Sequence, residues 1–268
     1  MIYPFSARTC VAAWLQATSF LLTTKDRRAN NVILDIEEPT LLDPGDRLVV
    51  EALDKLLAKH GQDPVITVAG TIFPASHYTS GGANAVFHDF PEKVYPKIKK
   101  NWGTYAGRIL RRQGRDGSFL NPLEILVNKL KAQTNGKGHL RAAYEIGLID
   151  PLLEIPIYEP ASDAKLTLNQ PCLAHLSFKV VGADTVMLTA LYRSHYYVQR
   201  ALGNLIGLAH LLAFVAAESG LKPGGLVCHS TAARIDTVGG WGIREVTDFI
   251  HECNTQRKED RTWALTRW

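Results

Sequence analysis

The cysteine Cys172 follows Gln170 and Pro171 at the start of a predicted strand, where a thiol could take part in chemistry. A thiolate is a strong nucleophile, and nearby cations or hydrogen-bond donors activate it. The alternative interpretation is structural, because cysteine is also a common small apolar residue of protein cores. Cys172 is therefore a candidate catalytic residue, and its surroundings decide between the two interpretations.

Two arginine-containing stretches could bind an anion. Arg193 and Ser194 follow a predicted strand. A guanidinium that contacts two phosphate oxygens, beside a hydroxyl that contacts a third, makes a phosphate site. Arg27 lies in the polar run Asp26-Arg27-Arg28 and could supply a second cation. The alternatives are a surface ion pair for Arg193 and solvated charge for Arg27.

The asparagine Asn204 stands at the start of the most apolar predicted helix. Its carboxamide offers a donor and an acceptor side by side, which match the amide edge of a uracil ring. The alternative is a helix N-cap, a position that favours asparagine. His229, next to Cys228, could act as a base or a ligand, or it could be a core histidine whose hydrogen bonds are satisfied.

The elements that position these residues are a mixture of helices and strands. Helical periodicity and end signals predict helices over 9–23, 47–60, 91–100, 123–132 and 204–219. Short β-branched or alternating runs predict strands over 32–36, 140–146, 174–181, 186–192 and 226–229, while residues 65–68 suit either state. The turn Gly182-Ala183-Asp184 predicts a hairpin. The predicted fold class is α+β, with helices packed around a largely antiparallel sheet.

The composition excludes several classes of protein. The 268 residues are 46% hydrophobic and 21% charged, as in a globular protein that buries a large core. No Ser/Gly/Pro-rich linker divides them, so we expect a single domain over 1–268. The formal charge of +4 is mild, the basic residues are dispersed and no aromatic platform stands out. The composition therefore does not support nucleic-acid binding.

Cysteine spacing and apolar runs bear on the compartment. The four cysteines lie far apart and form no C-x-x-C pair, so neither a zinc site nor a redox dithiol is expected. The N-terminal stretch is interpreted as an amphipathic helix rather than a secretory signal, which favours the reducing cytoplasm. The longest apolar run, 205–217, is shorter than the roughly 20 residues of a membrane helix, so no membrane partner is expected.

The order of the motifs resembles the thymidylate synthase family, which includes pyrimidine hydroxymethylases. The clearest part is 171–227, with Pro-Cys, a hairpin, Arg-Ser, an asparagine and a long apolar helix in this order. Cys172 and Arg193 are 21 positions apart, and Arg193 and Asn204 are 11 apart, which is similar to the family. Weaker similarity covers most of 9–240 and includes the stretch Trp102–Arg108.

The resemblance implies a thymidylate synthase-like fold and a reaction on a pyrimidine nucleotide. Cys172 would add to carbon 6 of the ring, and carbon 5 would then take a methyl or hydroxymethyl group from methylenetetrahydrofolate. Arg27, Arg193 and Ser194 would bind the 5′-phosphate, and the Arg193 cation would also favour the thiolate. Asn204 would select uracil-like over cytosine-like rings.

The resemblance also implies a homodimer whose sheets pack back to back. The predicted strands Leu140–Tyr144 and Ala174–Val180 would supply the packed face. The implied partners are thus a pyrimidine nucleotide and a second copy of the chain.

Several positions depart from the family pattern. Ser177 stands where the family has a glutamine, and Arg234 where it has the histidine that binds the sugar hydroxyl. The arginines that the partner subunit supplies fall near Lys137 and Gly138, and Arg141 is close by. Arg141 and Arg234 are therefore further candidates for phosphate binding. Other departures are Leu173 in place of His, Tyr196 in place of Asp, no catalytic Glu at 71–76, and no Pro-rich apolar tail at 261–268.

Three functions are compatible with the sequence. The first is a folate-dependent transferase that acts on carbon 5 of a pyrimidine nucleotide. The second is a nucleotide-binding or regulatory protein on the same fold that has lost folate-dependent catalysis, which the departures favour. The third is a protein that shares the fold alone and binds a ligand other than a nucleotide.

Overall fold

Residues 1–98, 104–114, 116–134, 143–148, 171–237 and 239–265 are described by a computed structural model, the last eight of them by their backbone. They form two compact units. The terminal unit comprises Met1–Ala69, Ser194–Ala209 and Gly224–Trp268, and the central unit comprises Gly70–Arg193 and His210–Pro223. The single domain over 1–268 stays a prediction.

Helices and strands are mixed along the chain, which confirms the α+β class. The helices are α1 (Cys10–Thr23), α2 (Pro44–Lys59), α3 (Val65–Ile72), α4 (Ala75–Asn84), α5 (Tyr95–Ile98), α6 (Tyr105–Leu110), α7 (Pro122–Thr134), α8 (Ala201–Ser219) and α9 (Ile243–Leu265). The strands are β1 (Tyr3–Ala7), β2 (Arg28–Ile36), β3 (Arg112–Gln113), β4 (Phe119–Leu120), β5 (Glu145–Gly147), β6 (Leu173–Val181), β7 (Thr185–Tyr192), β8 (His195–Tyr196) and β9 (Lys222–Arg234). A 3-10 turn spans Lys25–Arg27, and a π-type helical stretch spans Ala85–Val94.

The strands of the terminal unit are partly parallel and partly antiparallel. Strand β2 runs parallel to β1 and antiparallel to β9, and β8 runs parallel to β9. In β2 the side chains of Val32, Leu34 and Ile36 are fully buried, while their neighbours are more exposed. This alternation follows from the two-residue repeat of a strand and turns one face of β2 toward the core.

Helices of the terminal unit are fixed by caps and by close packing. Thr9 caps α1, since its Oγ1 accepts the Ala12 N–H at 3.2 Å. The buried Trp14 of α1 donates its Nε1–H to the Tyr197 carbonyl at 2.6 Å. Gly203 of α8 lies against α3, where a Cβ at position 203 would come within 2.6 Å of the Val68 Cβ. Glycine at position 203 therefore permits this helix contact.

The central unit contains an antiparallel set of three strands. Strand β6 pairs with β5 on one side and with β7 on the other. Strands β6 and β7 are joined by a turn in which Gly182 has a φ of +62°. Only glycine adopts this backbone conformation without strain, which explains why the turn forms there. The predicted hairpin is confirmed.

Most of the other predicted elements are confirmed with shifted ends. The helices predicted over 9–23, 47–60, 123–132 and 204–219 correspond to α1, α2, α7 and α8. The strands predicted over 32–36, 174–181, 186–192 and 226–229 lie within or overlap β2, β6, β7 and β9. Residues 65–68, which suit either state by sequence, open helix α3.

Three predictions need correction. The strand predicted over 32–36 begins earlier, at Arg28, because the backbone of Arg28, Ala29 and Asn30 pairs with β9 whatever their side chains. The strand predicted over 140–146 is confined to its end at β5, and residues 140–142 lie outside the described part. The helix predicted over 91–100 begins as the π-type stretch and continues as α5, while Lys99 and Lys100 are not described.

Helix α8 is long and apolar enough to cross a membrane by length and composition, the one such helix in the described part of the chain. Within its most apolar window, 72% is buried inside the protein. A buried apolar helix of this kind is typical of a protein core.

A buried ion pair ties α9 to α2 in the terminal unit. The Arg257 side chain is 11% exposed and its Nη2 lies 2.8 Å from Oδ1 of Asp46, which is fully buried. Burial raises the pKa of Asp46, although the Thr9 hydrogen bond and the Arg257 charge oppose this. Without the guanidinium, the buried carboxylate would lose its main counter-charge.

We predict that Arg257→Met lowers the free energy of unfolding by about 3 kcal/mol at neutral pH, because it leaves a buried charge unpaired. The loss should shrink as the pH falls toward the Asp46 pKa, since the protonated carboxyl needs no counter-charge. Urea unfolding of the variant between neutral and acidic pH measures both effects. The matched double variant Asp46→Leu/Arg257→Met should recover most of the stability, and a double variant as unstable as Arg257→Met would contradict the prediction.

Candidate functional site

Cys172 and Arg193 lie next to each other at one end of the β6–β7 hairpin. Cys172 immediately precedes β6, Arg193 immediately follows β7, and Leu173 is paired with Tyr192 between them. The Arg193 N–H donates to the Cys172 carbonyl at 2.8 Å, and Arg193 Nη2 donates to the Pro171 carbonyl at 2.7 Å. The hairpin thus brings a thiol and a guanidinium 21 positions apart in sequence to neighbouring backbone positions.

A tyrosine on α6 holds the backbone of the cysteine. Tyr105 Oη accepts the Cys172 N–H at 3.1 Å and the Leu173 N–H at 3.4 Å. Helix α6 begins at Tyr105 because Thr104 caps it, with its Oγ1 accepting the Gly107 N–H at 3.1 Å. The sequence analysis did not assign a role to Tyr105. The available signal was its position in the family-like stretch from Trp102, of which residues 102 and 103 lie outside the described residues.

The four thiols differ in their access to solvent. None forms a disulfide; Cys172 is partly exposed, whereas Cys10, Cys228 and Cys253 are buried. Burial raises the pKa of Cys228 and of Cys253 to about 12, and it raises that of Cys10 further. Because the thiolate is the reactive form, the three buried thiols are poor nucleophiles. Cys172 is the thiol that a dissolved reagent or ligand can reach.

Asn204 belongs to a chain of buried polar side chains in the terminal unit. Asn204, His195 and Ser230 are 5%, 2% and 0% exposed. Asn204 Nδ2 lies 3.0 Å from His195 Nε2, and His195 Nδ1 lies 2.9 Å from Ser230 Oγ. Ser230 Oγ in turn lies 3.3 Å from Tyr197 Oη. Burial lowers the pKa of His195 to about 3, so the ring is neutral near neutral pH.

The helix N-cap interpretation of Asn204 is wrong. Helix α8 begins at Ala201, and the Asn204 N–H already donates to the Arg200 carbonyl at 2.9 Å as part of the helical turn. Its side chain therefore faces His195 rather than capping the helix end. Sequence reasoning singled out Asn204 and missed His195, although His195 directly follows the Arg193-Ser194 pair.

Two of the predicted phosphate-binding arginines lie close together where β2 begins and β9 ends. The ladder pairs Arg28 with Arg234, and the Ile235 N–H donates to the Arg27 carbonyl at 2.9 Å. The Arg234 guanidinium lies 4.3 Å above the Tyr196 ring centre and donates to Tyr196 Oη. Its buried Nε has no hydrogen-bond partner among the residues that the structure describes. Arg27, Arg28 and Arg234 form the arginine cluster of the terminal unit.

The backbone of the arginine cluster is strained. Asp26 and Arg27 have φ angles of +59° and +56°, in the left-handed region that non-glycine residues seldom occupy. Such strain costs free energy and is concentrated at functional sites. Arg27 Nη1 donates to the Thr24 carbonyl at 2.9 Å, which holds the guanidinium on this turn.

The remaining predicted site residues lie elsewhere or are not described. Ser177 of β6 donates to Glu145 Oε1 at 3.0 Å, and the same carboxylate contacts His175 and Lys179. Burial opposes ionisation of Glu145, but these hydrogen bonds outweigh it and hold its pKa below the ordinary range. Ser194 is a partly buried residue directly before β8. Arg141 lies outside the described residues.

The structure thus brings together Cys172 with Arg193, and Arg27 with Arg234, each pair within one unit. Asn204 is joined to His195, a residue that the sequence did not indicate. Among the described residues, no group of three or more His, Cys, Asp or Glu side chains could hold a metal ion.

Comparison with known proteins finds curated archaeal relatives that carry the name "Putative thymidylate synthase". The relative from Methanococcoides burtonii is 33% identical over 132 residues, which are 49% of this chain and 52% of the relative. The relative from Methanothermobacter thermautotrophicus is 38% identical over 143 residues, 53% of this chain and 55% of the relative. The relative from Methanosarcina mazei is 29% identical over 132 residues, 49% and 52% of the two chains.

The relatives confirm the resemblance to thymidylate synthases that the motif order indicates. The chain spans about half the length of the curated relatives it matches. No protein-family model matches it.

We predict that iodoacetamide alkylates the native protein at Cys172 before any other cysteine. The reason is that Cys172 is partly exposed while burial keeps the other three thiols protonated and out of reach. Peptide mass spectrometry after short labelling identifies the modified residue. Cys172→Ser should leave the native protein almost unlabelled, while Cys253→Ser should label like the parent. Equal labelling of Cys228 would contradict the assignment.

Proposed function

We propose that this protein is a thymidylate synthase-like transferase that adds a one-carbon group, methyl or hydroxymethyl, to carbon 5 of a pyrimidine nucleotide. The observation that carries the proposal is the adjacency of Cys172 and Arg193, which pairs the accessible thiol with an arginine. The similarity to relatives named as thymidylate synthases supports the same activity. A phosphate-bearing substrate fits because guanidinium groups bind phosphate oxygens with two parallel hydrogen bonds.

In the proposed reaction, the Cys172 thiolate forms a bond to carbon 6 of the pyrimidine ring, and the electron pair of the 5,6 double bond moves toward carbon 5. Carbon 5 becomes nucleophilic and bonds to the one-carbon unit, whose bond to its donor breaks. Loss of the carbon 5 proton to solvent then lets the cysteine leave as thiolate and restores the ring double bond. The product would carry a hydroxymethyl group if water adds to the one-carbon unit, or a methyl group if the reduced folate also supplies a hydride. The Arg193 guanidinium donates to the Pro171 carbonyl, next to Cys172 in the chain, and the proposed role of its positive charge is to favour the thiolate. Tyr105 fixes the Cys172 backbone, so the sulfur is presented from a rigid position.

Methylenetetrahydrofolate is the one-carbon donor that the resemblance implies, and when bound it supplies the unit that carbon 5 receives. None of the described residues identifies a folate site. The proposal about this cofactor therefore rests on the resemblance alone.

Substrate binding is proposed for the other residues. Arg27, Arg193 and Ser194 bind the 5′-phosphate, with Arg234 and Arg141 as further candidates. Asn204 binds the edge of the base. For Ser177, which stands at the family's glutamine position, the proposed role is a weaker contact to the nucleotide.

The assembly and compartment are also proposals. A homodimer formed through the β5–β6 face and a cytoplasmic location follow from the resemblance and from the four reduced cysteines. Sedimentation at micromolar concentration tests the dimer, and a monomer there would contradict it.

The transferase is tested by tritium release from carbon 5 of labelled uracil nucleotides, with and without methylenetetrahydrofolate. We predict release by the parent protein and a loss of at least about 1,000-fold in Cys172→Ala, because the nucleophile acts in the covalent step. Cys253→Ser, which removes a buried thiol, is the matched control and should keep the rate. Nucleotide binding by calorimetry without any release, with or without folate, would instead establish a binding or regulatory protein.

The arginine cluster is tested by comparing a nucleotide with its nucleoside. We predict that Arg234→Gln weakens binding of 2′-deoxyuridine 5′-monophosphate by roughly tenfold or more, because a charge-assisted hydrogen bond is lost. Binding of the nucleoside, which has no phosphate, should change little. Arg244→Gln removes an exposed arginine of α9 and serves as the control. An equal effect of Arg234→Gln on nucleotide and nucleoside would remove Arg234 from the phosphate site.

A further inference from the structure

The carboxamide of Asn204 has a fixed orientation in the terminal unit. Its Nδ2, rather than its oxygen, lies 3.0 Å from His195 Nε2. An amide nitrogen can only donate, so Nε2 must be the acceptor and carry no proton. The orientation of the amide is thus tied to the protonation state of one histidine nitrogen.

The protonation of His195 is set by its other neighbour. The ring is neutral because burial disfavours the imidazolium, so only one of its two nitrogens carries a proton. With Nε2 unprotonated, the proton resides on Nδ1 and is donated to Ser230 Oγ at 2.9 Å. Ser230 is fully buried and its hydroxyl can donate onward to Tyr197 Oη at 3.3 Å. The hydrogen bonds therefore run in one direction from Asn204 through His195 to Ser230.

With the hydrogen bonds in this direction, the carboxamide oxygen of Asn204 is available to accept a hydrogen bond from a ligand. Asn204 Oδ1 accepts no hydrogen bond from the described residues, and it is not among the polar atoms that are sealed from solvent without a partner. Turning the amide around would place Oδ1 against the unprotonated Nε2, two acceptors facing each other. The flip requires the histidine proton to move to Nε2 and Ser230 to become the donor.

We propose that His195 and Ser230 are positioning residues that set the base preference, by holding Asn204 with its oxygen toward the ligand. The proposal deepens the proposed function and rests on it. An acceptor oxygen beside the second amide hydrogen fits a ring edge with an N–H next to a carbonyl, as in uracil and thymine. Cytosine presents an unprotonated ring nitrogen and an amino group at this edge. The Asn204 oxygen would then face the ring nitrogen, two acceptors, and the Asn204 N–H would face the amino group, two donors.

The direction of the chain is tested without any substrate. Long-range proton–nitrogen NMR of ¹⁵N-labelled protein reports which nitrogen of a histidine carries the proton, and His195→Phe assigns the signal. We expect the Nδ1–H form in the parent protein. In Ser230→Ala the Nδ1 proton loses the Ser230 acceptor, so we expect the population to shift toward the Nε2–H form. An Nε2–H form in the parent protein would overturn the proposal.

The base preference is tested by calorimetry with the 5′-monophosphates of deoxyuridine and deoxycytidine. We expect the parent protein to prefer the uracil nucleotide by roughly 10- to 100-fold, the usual discrimination of a two-point hydrogen-bonded edge. Ser230→Ala should lose most of this preference, mainly because the cytosine nucleotide binds better. Ser230→Thr keeps the hydroxyl and should therefore retain the preference for the uracil nucleotide. If the serine had only a structural role, the base preference would not depend on whether the hydroxyl is present.

Ser219→Ala is the matched control, since it removes another buried hydroxyl of the chain, bonded to the Val215 carbonyl at 2.5 Å. It should lower thermal stability like Ser230→Ala and leave the base preference unchanged. Unchanged preference in both alanine variants would overturn the positioning role while leaving the proposed function intact. If no pyrimidine nucleotide binds, the proposed function and the base preference both fail, whatever form His195 takes.

Discussion

The hydrogen bond from the Arg193 N–H to the Cys172 carbonyl is the contact on which the candidate chemistry depends. It extends the β6–β7 ladder by one step beyond the Leu173–Tyr192 pair. The turn at Gly182 sets the register from His175 onward, and a one-residue shift between Leu173 and His175 then brings Cys172 opposite Arg193. A strand slipped by one residue would also exchange its buried and exposed faces, which the core does not allow. Backbone pairing thereby brings Cys172 and Arg193, which are 21 positions apart in sequence, to neighbouring backbone positions.

The terminal unit buries several polar side chains. A polar group removed from water destabilises the fold unless it is hydrogen-bonded. Asn204, His195 and Ser230 form a chain of hydrogen bonds that ends at Tyr197. The backbone carbonyl of Tyr197 also accepts a hydrogen bond from Trp14. Helices α1 and α8 and strand β9 are therefore linked by hydrogen bonds between buried groups. In the arginine cluster, the partly buried guanidinium of Arg234 is stabilised in part by stacking on the Tyr196 ring.

Much of the fold and part of the site could be predicted from the sequence. Local signals such as Gly182, the periodicity of α2 and the run of β-branched residues in β2 act over a few residues, and these predictions were confirmed. Spacing within one hairpin also indicated that Cys172 and Arg193 meet. The roles of Tyr105 and of His195 could not be predicted, because they depend on tertiary packing. Tyr105 contacts Cys172, 67 positions away, and His195 contacts Asn204 and Ser230, 9 and 35 positions away. Residues Arg28–Asn30 of β2 were not predicted as strand for the same reason, since their pairing with the distant strand β9 overrides the polarity of Arg28 and Asn30.

The close approach of Gly203 to Val68 has an evolutionary consequence. A side chain at position 203 would collide with the Val68 side chain and with the Val65 carbonyl, and the residue next to it in the helix is Asn204. A smaller residue at position 68 would leave the contact with the Val65 carbonyl in place, so a larger residue at position 203 could enter a descendant sequence only after a shift of the helix that would also displace Asn204. Position 203 should therefore remain glycine among relatives that keep the asparagine, and vary in those that have lost it.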